Sequence, residues 1–313
     1  MNTQIWIAIH TPFFEDGTID EAGVRANVDA FVERGIDGIF CNGLMGENWA
    51  VPLDERIEIV KMIIDQAAGR IKVCAVATLD TEEETIALGK TYKDLGMDYV
   101  CLSTPAEAQE KDEIVAYFNR LMDAIDMPTV IFNRITLKGS ILNAEIFEEM
   151  NKNPHLKILK TTASDEVNNS MRKVARPDVM VSDPTEEKFW VNATEQGQRI
   201  LFADPEPYLY QTPDFRPIAK YIELIEEGDL ETAKKIFDAL EPLRVNYNKW
   251  LMIPFYKDIM TMAYLKKWAE LNGMVGGYVR KPLVPLTAEE DAQMTKEIKE
   301  AQAAVREALK GIV

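Results

Sequence analysis

The stretch IKVCAVATLDTEEETIALGKTYKDLGMDYVCL, residues 71–102, decides the fold. Its first apolar run, Ile71–Ala77, shows no hydrophobic–polar alternation. A charged segment with helical spacing follows at Thr81–Leu95, and a second apolar run comes at Tyr99–Leu102. Runs that are apolar on both faces fit strands covered on both sides, which means a parallel sheet, and the helix between them is the crossover that parallel strands require. Asp80 stands before the helical pattern as an N-cap candidate. Gly96 closes it, at a position where glycine takes the left-handed conformation at little cost.

The same unit repeats in both directions. Ile5–Ile9, Gly38–Cys41, Thr129–Phe132, Ile158–Leu159, Val179–Val181 and Ile200–Phe202 read as further strands. Glu21–Arg34, Leu53–Ala68, Asp112–Ile125, Asn143–Asn151, Asp165–Val174 and Glu186–Gln196 read as helices, with Asp20 and Asp54 as cap candidates and Gly35 as a closing residue. Eight strand–helix units within about 225 residues predict an α/β protein, a (β/α)8 TIM barrel. A doubly wound sheet is the runner-up, but it usually has fewer strands and, in dinucleotide binders, a GxGxxG turn after the first strand. Here that strand runs into HTPFFEDG, residues 10–17. After Asp214 the strands stop: Ile218–Glu227, Leu230–Leu240, Arg244–Asn272 and Ala288–Leu309 read as additional C-terminal helices, broken by residues 227–229, Pro254 and Gly276-Gly277. We expect a barrel over residues 1–213 and C-terminal helices, the final barrel helix among them, over 214–313. No low-complexity linker parts them, so they pack as one unit.

Composition narrows the function classes. The 313 residues are 47% hydrophobic and 28% charged, an ordinary globular balance. Cys41, Cys74 and Cys101 are an odd, widely spaced set inside apolar runs, which predicts buried free thiols in a reducing compartment. The N-terminus lacks a basic n-region, and no stretch approaches the roughly eighteen apolar residues of a membrane helix. Acidic residues number 52 against 35 basic, leaving a net charge of −17 that repels phosphate backbones. The expectation is a cytoplasmic protein with neither membrane nor nucleic acid as partner.

In a barrel, chemistry sits at the C-terminal strand ends and the loops after them. Those positions hold His10-Thr11-Pro12, Gly43-Leu44-Met45-Gly46-Glu47, Ser103-Thr104-Pro105, Phe132-Asn133-Arg134, Lys160-Thr161-Thr162, Ser182-Asp183-Pro184 and Asp204-Pro205-Glu206. Lys160 follows an apolar run and precedes small hydroxyl residues, so its amine is expected in the barrel mouth, where a neutral amine condenses with a ketone. The alternative is a lysine that snorkels to solvent or pairs with Asp183 or Glu47. The Gly43–Glu47 turn offers backbone amides that can hold a carboxylate, or it is a plain strand-to-helix connection.

HTPFFEDGTID at 10–20, the Gly43–Glu47 turn, IFN at 131–133, ILK at 158–160 and VRKPLVPLT at 279–287 fall in order. In order and spacing the chain resembles the dihydrodipicolinate synthase / N-acetylneuraminate lyase family over essentially its whole length. The resemblance implies a (β/α)8 barrel with C-terminal helices, commonly a homotetramer built as a dimer of dimers, and class I chemistry on 2-oxo acids. By its motifs, Lys160 matches the Schiff-base lysine, Gly43–Glu47 matches the loop that binds the 2-oxo acid carboxylate, and Phe132 matches the tyrosine of the usual YN pair.

The departures carry as much information. Leu44 and Met45 stand where the family usually has two hydroxyl residues. Losing hydrogen bonds to a charged group costs about 1.5–3 kcal/mol each, so pyruvate should bind poorly. Phe132 lacks the hydroxyl of a proton-shuttling tyrosine, a loss of typically about a hundred- to ten-thousand-fold in rate. Pro105-Ala106-Glu107 occupies the usual place of a second, paired tyrosine, and Leu137 the place of an arginine characteristic of dihydrodipicolinate synthases. Arg134 is similar to the YNR of sugar-acid dehydratases in the same superfamily and could clamp a second carboxylate, or pair with an acidic neighbour in its loop.

His10, Glu107, Tyr208 and Tyr210 are candidates for the missing acid–base role, with His10 the better general base and a core histidine the alternative reading. His155 falls on the opposite barrel face. Trp6, Trp49, Phe189 and Trp190 could widen an apolar pocket, whereas Trp250 and Met252–Met262 read as helix packing or a subunit interface. The sequence thus predicts a lyase, aldolase or dehydratase, with Lys160 and His10 catalytic. Thr11, Gly43, Leu44, Met45, Gly46, Phe132, Asn133, Arg134, Glu107 and Asp204 would bind a small-molecule 2-oxo acid or keto-deoxy sugar acid. No metal or organic cofactor is implied. A non-catalytic ligand-binding paralogue and a metal-dependent aldolase are the rival readings.

Overall fold

The computed structural model describes residues 3–104, 110–133, 142–313 and the short segments 135–136 and 139–140. Eight parallel strands run as β1 (Gln4–Ala8), β2 (Gly38–Cys41), β3 (Lys72–Val76), β4 (Tyr99–Ser103), β5 (Thr129–Asn133), β6 (Leu156–Thr161), β7 (Met180–Ser182) and β8 (Ile200–Ala203). Their order around the sheet is β8-β1-β2-β3-β4-β5-β6-β7, so the eighth strand pairs with the first and the sheet curls into the expected TIM barrel. Side chains bridge the last seam, between β7 and β8. Ser182 Oγ accepts the Phe202 N–H at 2.9 Å, and Gln198 donates to the carbonyls of Asp183 and Ile200, both at 2.9 Å.

Strand side chains alternate between two apolar environments, which explains why the sequence shows no polar alternation. Ile5, Ile7, Ile39 and Val73 join the layer shared with the surrounding helices. Trp6, Ala8, Phe40, Cys74, Cys101, Val130, Ile158, Ile200 and Phe202 pack together inside the barrel. Trp6 lies directly across from Gly38 in the β1–β2 ladder, and a Cβ on Gly38 would sit 2.2 Å from an indole carbon. The glycine makes room for the largest side chain of the interior, whose indole then meets the Tyr99 ring edge-on at 5.1 Å. All three cysteines are free and buried.

Around the barrel stand α1 (Glu21–Glu33), α2 (Leu53–Ala67), α3 (Glu82–Asp94), α4 (Lys111–Ile125), α5 (Ala144–Met150), α6 (Asp165–Val174) and α7 (Phe189–Thr194). A short α8 (Glu206–Tyr210) precedes α9 (Pro217–Glu227), α10 (Leu230–Ala239) and α11 (Glu241–Tyr247). A π turn at Asn248–Met252 leads through α12 (Ile253–Phe255) to α13 (Met262–Leu271) and α14 (Ala288–Ala308). Asp20 caps α1 as expected, accepting the Gly23 N–H at 2.9 Å, and Gly35 and Gly96 both take positive φ. Two cap expectations shift. Pro52 fills the cap position of α2 with Asp54 inside its first turn, and Thr81 displaces Asp80 on α3 because it forms a reciprocal pair of hydrogen bonds with Glu84.

The helical pattern expected over Arg244–Asn272 with a break at Pro254 runs on through Pro254 to Phe255 as α11, the π turn and α12, and α13 is separate. The positive φ of Asp258 (61°) interrupts it, and the helix restarts after Thr261. The small hairpin of Ile135–Thr136 with Gly139–Ser140 and the one-turn α8 were also not foreseen, since each is too short to impose a period.

The Trp6–Gly38 fit yields a stability prediction. Gly38→Ala overpacks a rigid interior and should cost about 1–3 kcal/mol or more, read as a lower urea midpoint. Adding Trp6→Leu should recover part of that loss. A Gly38→Ala variant as stable as the parent would show that the indole has room to move.

Candidate active site

Lys160 inherits its direction from the strand. It lies two residues beyond Ile158 on β6, so it points inward one step above the packed interior. Phe132 and Ser182 flank it in the neighbouring ladders. Only 2% of Lys160 is exposed, and its Nζ stands 4.9 Å from the centre of the Phe202 ring, 5.4 Å from Phe132 and 5.8 Å from Phe40. Three ring faces and one anion hold this buried ammonium. The anion is Asp204, whose Oδ1 lies 2.7 Å from Nζ.

That pairing replaces both partners entertained from the sequence. Asp183 accepts from Asn168 at 3.1 Å and faces Lys188 at 3.7 Å, whereas Glu47 is taken by Lys266 at 2.5 Å. A lysine free to snorkel is also excluded by the burial.

Above the amine opens a cavity of about 450 Å³. Of the residues expected at the site, Gly43, Leu44, Met45, Phe132, Lys160 and Asp204 line it. Ser103, Thr78, Thr162 and Asn48 add polar groups, and Phe40, Val76 and Ala8 add apolar ones. The tail supplies a wall not read from the sequence: Tyr247, Leu251, Met252, Phe255 and Thr261. Part of the Met252–Met262 segment, expected as packing or interface, therefore faces the cavity. The clue was Pro254, which stands as a break in the helical pattern of the sequence. A second, smaller cavity of about 180 Å³ shares Asp204 and Tyr247 with the first and adds Glu206, Tyr210 and the buried Glu186–Arg244 pair.

Other expected residues are placed elsewhere. His10 does not line the cavity. Its Nε2 lies 2.9 Å from the Val275 carbonyl and its Nδ1 3.3 Å from the Tyr208 hydroxyl, and burial pushes its pKa down to about 4. A histidine so held stays neutral and tied to the tail, so the core alternative describes its geometry. Tyr208 is fully buried beside it. Thr11 packs beneath the turn, its Oγ1 3.2 Å from where a Gly46 Cβ would lie, and Asn133 donates to Thr161 Oγ1 at 3.1 Å. Thr11, Gly46 and Asn133 thus support the walls without lining them. Glu107 and Arg134 lie outside the described residues, as do Pro105, Ala106 and Leu137. Trp6 sits lower in the barrel, Trp49 is partly exposed, and Phe189 and Trp190 pack against Tyr221 and Phe237 on the outer helices. His155 faces Asp126 at the opposite end of the barrel, as expected.

The Gly43–Glu47 turn is a single 3₁₀ turn, Leu44–Gly46, whose opening amides face no helical acceptor. Glu47 ends it in the left-handed conformation, φ 58°, and is fully buried. Its carboxylate meets Lys266 of α13 and accepts the Arg280 N–H at 2.8 Å, while the Phe13 ring lies under both cations at 4.6 and 4.4 Å. Burial outweighs Glu47 at the Lys266 amine and brings its pKa down to about 8. Among the described residues no three His, Cys, Asp or Glu side chains gather as a metal-ligand set. No described helix is long and apolar enough to cross a membrane.

A buried, ion-paired lysine at the mouth of an eight-stranded parallel barrel, roofed by C-terminal helices, defines the protein's class. The chain belongs to the dihydrodipicolinate synthetase family, whose model matches residues 1–301. It is 25% identical over 296 residues to a 4-hydroxy-tetrahydrodipicolinate synthase of Methanoculleus marisnigri, covering 92% of this chain and 96% of that one. It is 27% identical over 180 residues to the protein of that name from Methanothermobacter thermautotrophicus, 57% of this chain and 64% of that one. Two solved structures share the fold. The 4-hydroxy-tetrahydrodipicolinate synthase of Methylacidiphilum fumariolicum has a TM-score of 0.81 at 20% identity, covering 99% and 97% of the two chains. A catalytic-lysine mutant of the Ruminococcus gnavus sialic acid aldolase has a TM-score of 0.82 at 21% identity, covering 99% and 98%.

The His10 environment has a pH consequence. The unfolded imidazole titrates near 6.5, whereas the folded one holds off its proton to about 4. The group's stabilisation is present above pH 6.5 and is lost as pH falls towards 4, roughly 3 kcal/mol over that window. His10→Asn should flatten the parent's loss of stability between pH 6.5 and 4 in urea titrations. Parallel profiles for the two proteins would show that the imidazole is not held neutral.

Proposed function

We propose that the protein is a class I lyase that forms an imine between Lys160 and a 2-oxo acid bearing an apolar substituent. The observation carrying this reading is the Lys160 amine, buried at the floor of an open cavity beside a carboxylate. Attack of the neutral amine on C2 of the keto acid and loss of water give an iminium, which draws electrons from the adjacent carbon and so serves aldol cleavage or dehydration alike. The amides opening the Leu44–Gly46 turn would receive the substrate carboxylate. Leu44 and Met45 supply no hydroxyl donors, so small, strongly hydrated acids should bind weakly.

The cavity's apolar walls favour a bulky, weakly polar chain on the substrate. Leu44, Met45, Val76, Phe132, Leu251, Met252 and Phe255 present hydrocarbon where a sugar acid would need hydrogen bonds. We retain the sugar-acid alternative only through Arg134, whose guanidinium would suit a second carboxylate. A ligand-binding paralogue without catalysis is the second reading, favoured by one observation: the ring at the place of the family tyrosine, Phe132, carries no hydroxyl. The proposed assembly is a homo-oligomer, for which the exposed apolar Val245, Ile253, Tyr256 and Ile259 of the tail offer surface.

Borohydride trapping with pyruvate, oxaloacetate, 2-oxoglutarate, phenylpyruvate and keto-deoxy sugar acids tests this directly. Intact mass and peptide mapping should find an adduct on Lys160, strongest with phenylpyruvate, and none on Lys160→Ala. If no acid leaves an adduct on folded protein, the paralogue reading stands instead. Phe132→Tyr should raise any pyruvate aldolase side activity by about tenfold or more, because a phenol at 132 would stand beside the amine. No gain would mean the pocket is rebuilt beyond that residue.

A further inference from the structure

We propose that Asp204 is the acid–base catalyst of this site, taking a proton from the Lys160 ammonium and returning it to the oxygen that leaves as water. The proposal rests on the imine reading of Lys160 and supplies the proton transfers that Phe132 cannot make.

Geometry comes first. Asp204 Oδ1 lies 2.7 Å from Lys160 Nζ, within direct transfer distance. Phe132, directly across the ladder from Lys160, presents only ring carbons to the amine. Asp204 also differs from a carboxylate that merely neutralises a buried charge. Its side chain is 35% exposed and lines both cavities, whereas the lysine it pairs with is 3% exposed. The carboxylate thus meets the amine and also borders the volume a substrate would fill.

Elimination points the same way. Among the described residues lining the larger cavity, the titratable side chains are Lys160, Asp204 and Tyr247. Burial and the Glu206 and Asp204 charges hold the Tyr247 phenol well above its usual range, which keeps it protonated and makes it a weak acid. Glu206, two residues along, is also buried, and its Oε2 has no hydrogen-bond partner. Burial and the Asp204 charge push this carboxyl well above the usual carboxylate range. Glu186 is matched by Arg244 at 2.9 Å. Among the described residues Asp204 is therefore the carboxylate left to exchange protons with the amine.

The steps balance. Asp204 accepts one proton from Lys160, and the freed lone pair forms the N–C bond to C2 as the carbonyl π pair moves to oxygen. A second nitrogen proton passes to that oxygen, giving a neutral carbinolamine. Asp204 then returns its proton, the C–O bond breaks, and water leaves with the bonding pair. An iminium remains that keeps the third nitrogen proton, so ketone and ammonium have become iminium and water with no other reactant.

The opposite expectation is physically clear. If Asp204 only held the amine charged, removing it would ease deprotonation of Lys160 and speed imine formation. Time-resolved borohydride trapping with phenylpyruvate, and with pyruvate as a second probe, separates the two. In Asp204→Asn the rate of adduct formation should fall about a hundred- to ten-thousand-fold. The concentration giving half-maximal rate should move less than tenfold. Asp204→Glu should recover part of the rate, and added formate should rescue Asp204→Ala, which a structural role would not allow. Equal or faster trapping in Asp204→Asn overturns the proposal while leaving Lys160 as the nucleophile. So does loss of trapping in Tyr247→Phe with Asp204→Asn unimpaired. Absence of any wild-type adduct overturns the imine reading itself.

Discussion

The mouth of this barrel depends on one buried ion pair, Glu47 with Lys266. Glu47 ends the turn after β2, and Lys266 stands on α13, more than two hundred residues later in the chain. Taking two charges out of water costs several kcal/mol each, and the loss is offset only where geometry and further hydrogen bonds are good. Here the carboxylate also receives the Arg280 amide, the ammonium also donates to the Tyr278 carbonyl, and the Phe13 ring lies under both cations. Gly277 completes the junction: its φ is 71°, and a Cβ there would meet the Phe13 backbone at 2.8 Å. Through these contacts the tail is fastened to the loop after β1 and the turn after β2, and the position of each fixes the others.

That fastening explains why the C-terminal helices shape the cavity. With α13 pinned at Lys266, the π turn and α12 are carried across the strand ends, bringing Tyr247, Leu251, Met252 and Phe255 over Lys160. A π turn inside a helical run shifts the phase of the following side chains by one residue, which turns apolar groups away from the packing face and into the cavity. The same network absorbs His10. With Asn27 it holds the Val275 backbone, so its place at the end of β1 serves the junction between barrel and tail.

The strands were legible in the sequence because each is covered on both faces and therefore lacks polar alternation, and because glycines such as Gly35 and Gly96 mark helix ends. Lys160 was legible because a cation directly after Ile158-Leu159 must either reach the barrel mouth or find a partner. Its partner was not, since Asp204 follows a different strand, and only barrel closure brings β8 and β6 to opposite sides of β7. The tail's contribution was hidden for a related reason: an apolar segment with helical spacing reads the same whether it packs on a helix or roofs a cavity. The cap slipped from Asp80 to Thr81 at α3 because neighbouring side chains compete for the same amides and the reciprocal Thr81–Glu84 bonds win, whereas α2 starts after Pro52 with no side-chain cap.

The substitutions at the site make a consistent set when taken together. Phe132, Leu44 and Met45 carry no hydroxyl, so they offer the cavity no donors and leave hydrocarbon around the amine. An ammonium among rings alone would be poorly compensated, because a cation–ring contact contributes only about 0.5–2 kcal/mol against the loss of hydration. A carboxylate must then approach, and Asp204 is the group that does. Asp204 meets the charge of the amine, and Phe132 stands as part of an apolar wall beside it. If Asp204 handles the proton as proposed, that task falls to the end of β8, and the place of Phe132 on β5 is left as apolar wall for the substrate.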